Sequence, residues 1–153
     1  MKLGMILVLF ILLVVVTSIF SGSWYERNPQ DGNLSAQGSV GFNIYNQMRA
    51  PFAYTLVATE LDGDFESPTP TLHEIPPGGG HKNFQVNSDF FKLNEAYVTY
   101  QIVSVFREVL GEIEIKMQTK FSSPSTEILE FEIYSPITPV RYNKGNTYVT
   151  ITN

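Results

Sequence analysis

The hydrophobic pattern divides the chain into three stretches of different character. Leu3 to Val16 is an apolar run with Gly4 as its one weak member, preceded by Lys2 and followed by Thr17-Ser18-Ile19-Phe20 and the small trio Ser21-Gly22-Ser23. No amphipathic period interrupts it, so residues 1–23 read as an N-terminal hydrophobic helix, either a signal peptide or a membrane anchor. Ser21 and Ser23 suit the small positions of a signal-peptidase site, whereas Leu3 to Phe20 is long enough for a marginal span. Trp24 and Tyr25, next to Glu26 and Arg27, form the ring-and-charge pattern of an anchor interface at headgroup level. Both readings stay open, and each puts the rest of the chain outside the cytoplasm, secreted or held in a membrane by residues 3–20. Residues 24–38 then turn polar and turn-rich without any period, as a linker does, and carry Asn33-Leu34-Ser35, a glycosylation acceptor triplet.

From Ser39 to the end the pattern alternates with period two. Val40, Phe42 and Ile44 alternate with Ser39, Gly41 and Asn43; Ile113, Ile115, Met117 and Phe121 alternate with Glu112, Glu114, Lys116 and Lys120; Leu129, Phe131 and Ile133 alternate with Glu130 and Glu132. Such stretches are half-buried strands. Phe52 to Leu61, Leu72 to Ile75, Asn83 to Asn87, Ala96 to Phe106 and Tyr148 to Ile151 bring the number to about eight, separated by turn clusters and by no helical period. The expected fold is therefore all-β, an antiparallel two-sheet β-sandwich over residues 39–153. Asn143-Lys144-Gly145-Asn146 predicts a tight hairpin with its glycine in the left-handed region, joining a strand near Val140 to the last strand. Pro76-Pro77-Gly78-Gly79-Gly80 predicts a second hairpin, pairing Ile75 with His81, Glu74 with Lys82 and Leu72 with Phe84, with Leu72, Phe84 and Val86 inward.

Composition narrows the function classes. A net charge of −5, with Lys and Arg scattered singly, argues against a nucleic-acid partner, because phosphate neutralisation needs a basic patch. Cysteine is absent, which removes disulfides, thiolate metal sites and thiol nucleophiles. The glycine-rich run before His81-Lys82-Asn83 lacks the Gly-Lys-Ser/Thr ending and the following helix of a phosphate-binding loop. In the expected hairpin register His73 and His81 would be diagonal neighbours, with no acid fixed beside them to complete a metal site. Asp62, Asp64 and Glu66 stand at alternate positions and are the calcium candidate, without the spacing of a calcium-binding loop. With no nucleophile elbow and no matched base, the chain is expected to be no enzyme and to carry no cofactor and no other metal.

The aromatic share is 13%. Rings in loops at a sandwich end suit insertion into lipid headgroups or stacking on sugars, which makes Phe90, Phe91, Tyr134 and Tyr142 the candidate lipid or glycan contacts.

The order SVGFNIYN, Asp62-Gly63-Asp64-Phe65, Pro68 and Pro70, IPPGG, NFQVNS and EAYVTYQI, between Val40 and Ile102, resembles the layout of the small aegerolysin-like, haemolysin-related proteins of bacteria and fungi. The resemblance implies a β-sandwich that recognises membrane lipids without enzyme activity and sometimes works with a pore-forming protein partner. Two functional readings follow. The first is an exported module that binds a membrane lipid or glycan surface. The second is a membrane-anchored structural subunit of an envelope, virion or surface appendage, in which self-assembly is expected.

Overall fold

The structure, a computed structural model, describes residues 6, 8–12, 38–89, 91–121, 123–136 and 138–153. Residue 6 and residues 8–12 are helical and exposed. Among the described residues no helix is long and apolar enough to cross a membrane. Most of the expected 1–23 segment, and the 24–38 linker up to residue 37 with Trp24, Tyr25 and Asn33, lie outside the described residues.

The described residues contain nine strands where the pattern gave about eight: β1 Ser39–Asn46, β2 Thr55–Gly63, β3 Glu74–Ile75, β4 Gly80–Asn87, β5 Asn94–Val103, β6 Val109–Lys120, β7 Ser123–Ile133, β8 Arg141–Lys144 and β9 Tyr148–Thr152. They form two sheets, one in the order β4-β1-β9-β8 and one in the order β3-β2-β5-β6-β7. The apolar positions of both sheets meet in one core. Phe42 and Ile44 of β1, Phe84 and Val86 of β4 and Val149 and Ile151 of β9 pack with Leu56, Val98, Tyr100, Ile102, Ile113, Ile115 and Met117 of the other sheet. Each such side chain removed from water contributes about 1.5–3 kcal/mol, so this shared layer holds the fold.

Several expectations need correction. The four-stranded sheet is mixed, because β9 runs parallel to β1, Asn43 opposite Tyr148 through Asn46 opposite Ile151. Alternation tells which side chains point inward and carries no strand direction, so one-sided burial could not reveal this. The Pro-Gly run does not close a hairpin. Ile75 pairs with Leu56 in one sheet, while β4 pairs with β1 in the other, so residues 76–79 cross between sheets. Ile75 and Phe84 still reach the core, from opposite layers, and Leu72 is exposed. The crossing is held by the end of β1 and the segment just after it: the Gly78 amide donates to the Met48 carbonyl and the Gly79 amide to the Asn46 carbonyl, at 2.9 and 2.8 Å. Both glycines have positive φ, a region only glycine occupies easily. The buried Asn46 amide group donates to the Ile75 and Tyr54 carbonyls, fixing the edge of both layers.

On β7 the register shifts at Leu129, so Ile128 opposes Ile115 and Phe131 opposes Ile113, and Leu129 is turned out to solvent. One inserted residue reverses the faces beyond it. β6 stops at Lys120, which leaves Phe121 at the turn rather than inward. β5 stops at Val103, which leaves Val105 and Phe106 outside the strand. Asp62 and Gly63 are the end of β2, paired with Tyr97 and Ala96. The β8–β9 hairpin forms as expected, with Lys144 opposite Val149. Gly145 is not among the residues of positive φ; its requirement is space, since a Cβ there would collide with the Tyr148 ring.

Candidate functional site

The end of the sandwich where the chain joins it collects loop tips from both sheets. Asn94 opposes Thr119 and Lys120 opposes Ser123, so the β4–β5 and β6–β7 connections stand side by side. The Ser88 amide donates to the Gly38 carbonyl, which brings the N-terminal side of the domain to the same place. The Thr119 hydroxyl donates to the Asn87 carbonyl at 2.7 Å and ties the two layers together there.

Local chemistry shapes the first tip. The Asp89 carboxylate accepts from the Phe91 amide at 3.0 Å, the side-chain turn for which aspartate is favoured. The Lys92 ammonium lies 3.3 Å from the Asp64 carboxylate and pins the far side of the loop. Phe91 is 88% exposed, Leu93 45% and Phe121, on the neighbouring tip, 57%. Phe121 has φ 50, a conformation rare for an aromatic residue, and the Lys120 ammonium lies 5.8 Å from its ring centroid. Three large apolar side chains with lysines interleaved is an arrangement that can enter a headgroup layer while the lysines stay at its polar level.

The four expected contact residues do not come together. Phe91 is at this end, and its neighbour Phe90 lies outside the described residues. Tyr134 is exposed at the opposite end, where its amide donates to the Leu110 carbonyl at 2.8 Å. Partial desolvation, and then Glu112, Glu132 and Glu130, push its hydroxyl above the ordinary phenol range. Tyr142 lies on β8 with its ring edge-on to Phe131 of β7, centroids 5.1 Å apart, and so closes the side between the two sheets. Phe121 was missed because periodicity absorbed it into the strand before it, and Leu93 because it stands outside any alternating stretch. An apolar side chain at a position of turn chemistry was the signal available.

The calcium candidate separates in the same way. Asp62 faces outward on β2, in a hollow of about 250 Å³ with Glu60, Tyr97, Thr99 and Glu114. Asp64 pairs with Lys92, and Glu66 accepts from the Ser39 hydroxyl at 2.8 Å. Among the described residues no group of three or more His, Asp or Glu is placed to hold a metal ion.

The histidines are not neighbours. His81 stacks on Tyr45, whose backbone it faces across β1 and β4. His73 lies between the Phe84 and Tyr100 rings, 5.6 Å from each centroid. Its Nδ1 meets the Thr71 carbonyl and its Nε2 the Tyr100 hydroxyl, both at 2.8 Å. A carbonyl can only accept, so Nδ1 carries the proton and Nε2 accepts from the buried phenol. Burial, and secondarily the charge of Lys82, lower the pKa of His73 against the opposing pull of Thr71. Burial pushes the Tyr100 hydroxyl far up, so it stays a donor. With both ring nitrogens occupied in this way, the imidazole packs beside β3 against the Phe84 and Tyr100 rings of the core.

No protein-family model matches this chain, and no curated protein or solved structure matches it.

Proposed function

We propose that this protein is an exported, non-enzymatic β-sandwich that binds a membrane lipid surface through its Phe91 end. The observation that supports this most is that Phe91, Leu93 and Phe121 are exposed in adjacent tips at the end where Gly38 brings the N-terminal side of the chain. A retained anchor in residues 3–20 would hold the domain at a membrane with that end nearest, whereas a cleaved signal would only export it. The outer face of the five-stranded sheet is a poor alternative, since Glu112 opposes Glu132 and Glu114 opposes Glu130 on it. Lying flat would set those carboxylates against lipid phosphates. The resemblance of the strand and loop order to that of aegerolysin-like proteins favours lipid over glycan as the ligand. The anchored structural subunit is the second reading, supported by the apolar run Leu3 to Phe20 and by a second apolar tip at the far end, Val105 and Phe106.

Burying one ring in a headgroup layer contributes about 1.5–3 kcal/mol, so removing it lowers partition about tenfold or more. Among the described residues every buried apolar side chain lies between Val40 and Ile151, within the stretch 24–153. Co-sedimentation of residues 24–153 with zwitterionic and with anionic liposomes tests the proposal. Wild type binds; Phe91→Ser and Phe121→Asn each lose about tenfold. Absence of binding to every composition, or unchanged binding by both variants with cooperative melting intact, would reject lipid recognition.

A further inference from the structure

The β5–β6 connection breaks the rules of turn chemistry at three successive residues. The Arg107 amide donates to the Ser104 carbonyl at 3.0 Å and the Ser104 amide to the Glu108 carbonyl at 2.9 Å. The Ser104 hydroxyl accepts from the Phe106 and Glu108 amides, both at 3.2 Å, so the turn is well braced. Its central positions, where polar residues or proline are usual, hold Val105 and Phe106, which are 79% and 83% exposed. The next residue, Arg107, has φ 65, where glycine or asparagine is usual. A rigid turn that presents two apolar side chains at a local cost, with no gain to the core, has the character of a binding element.

The same chain carries an open recess of mixed chemistry. Along β4 lies a groove of about 210 Å³ in which Pro68, Pro70 and the nearly buried Phe84 supply the apolar lining, polar side chains including Asn83 and Gln85 the rest, and Lys82 and Glu66 the charges. A cavity of about 150 Å³ holds a benzene ring, so this groove has room for one phenyl group. The charges correspond as well. Among the described residues neither Glu108, beside the turn, nor Lys82, beside the groove, has an ion-pair partner.

We propose that the Val105-Phe106 turn of one molecule docks into the Pro68-Pro70 groove of a second copy of this chain, with Glu108 of the first against Lys82 of the second. Turn and groove are different surfaces, so the contact is heterologous. Each molecule in a pair keeps one turn or one groove open, and assembly continues from there. This inference does not rest on lipid binding: the turn lies at the end of β5 and start of β6, opposite the Phe91 end.

The test uses purified full-length chains carrying two different tags, in detergent that covers the apolar N-terminal run, with pairwise co-precipitation and sedimentation velocity. Wild type associates increasingly with concentration. Phe106→Ser and Lys82→Glu each weaken this about tenfold or more, since one loses the ring and the other turns an attraction into a repulsion. Mixed together, the two variants restore a contact, because the first keeps an intact groove and the second an intact turn; growth then stops at a one-to-one complex. Glu108→Lys combined with Lys82→Glu in one chain recovers association by exchanging the charges. The proposal is overturned by a wild type that stays monomeric, by association that survives both single substitutions, or by a mixture of cooperatively melting variants that fails to associate. It is equally overturned if Phe106→Ser loses vesicle binding and leaves self-association unchanged, which would make the turn a lipid contact.

Discussion

The two ends of the sandwich both expose large apolar side chains, yet they are built differently. At the Gly38 end the apolar residues are spread over two tips, Phe91 and Leu93 on the crossing from β4 to β5 and Phe121 on the β6–β7 hairpin, with Lys92, paired to Asp64, and Lys120 beside them. At the far end Val105 and Phe106 share a single braced turn, and the surrounding charges are mostly carboxylates, Glu74, Glu108, Glu112 and Glu132. A broad, lysine-studded surface suits a fluid layer that has no fixed shape. A narrow knob ringed by acids suits a formed recess with a base at its rim. Similar exposure therefore argues for different partners once the neighbouring charge and the number of supporting strands are considered.

The comparison is broken outright by damage to the core that both ends share. Phe42→Ala, at a fully buried position that touches neither tip nor groove, should destabilise the domain by about 3–5 kcal/mol, read as a shift in the urea midpoint, and should weaken both interactions together. Loss of one interaction alone in this variant would mean that the two ends do not depend on a common frame.

The His73 seam gives a smaller effect that treats both ends alike. Its folded-state pKa is below the ordinary 6.5, so the unfolded chain takes up the proton first. Stability from this group is complete above 6.5 and is lost as pH falls below it. Unfolding curves at a series of pH values should show wild type losing stability on acidification relative to His73→Gln, which can still donate to Thr71 and accept from Tyr100. Parallel curves for the two proteins would contradict a half-buried histidine held neutral between Thr71 and Tyr100.

The smallest effect concerns the left-handed residues. Arg107→Gly and Phe121→Gly each relieve backbone strain and each add freedom to the unfolded chain, so the two terms offset and thermal stability changes by less than about 1 kcal/mol. A large loss in either variant would show that the side chain serves the fold and not a partner.

How far the sequence could be read depended on how local each decision is. The β8–β9 hairpin was legible because Asn143 to Asn146 contains its own turn signal and its strands are adjacent. The Pro-Gly run carries an equally strong signal, but whether it reverses within a sheet or crosses to another depends on Ile75 finding Leu56 and on Asn46 capturing the Ile75 carbonyl. Those contacts are distant in sequence. The faces of β6 and β1 followed from alternation, whereas one extra residue at Leu129 was enough to change β7. Of the expected contact residues among the described ones, Phe91 was brought by the structure to the joining end; Tyr142 was used to close the side against Phe131, and Tyr134 went to the other end. Aromatic content alone does not tell packing from display, because the same ring serves either purpose according to what stands opposite.

The central claim is that the Phe91 end, and not the Val105 end, meets the membrane. It is tested most directly by a tryptophan placed at each end in turn within residues 24–153, Phe91→Trp in one protein and Phe106→Trp in another, both with the chain's one native tryptophan removed by Trp24→Phe. Emission is followed on addition of liposomes containing brominated lipid. The account predicts a blue shift and quenching for the tryptophan at position 91 and neither for the one at position 106. Quenching at position 106 alone, or at neither position, would contradict it.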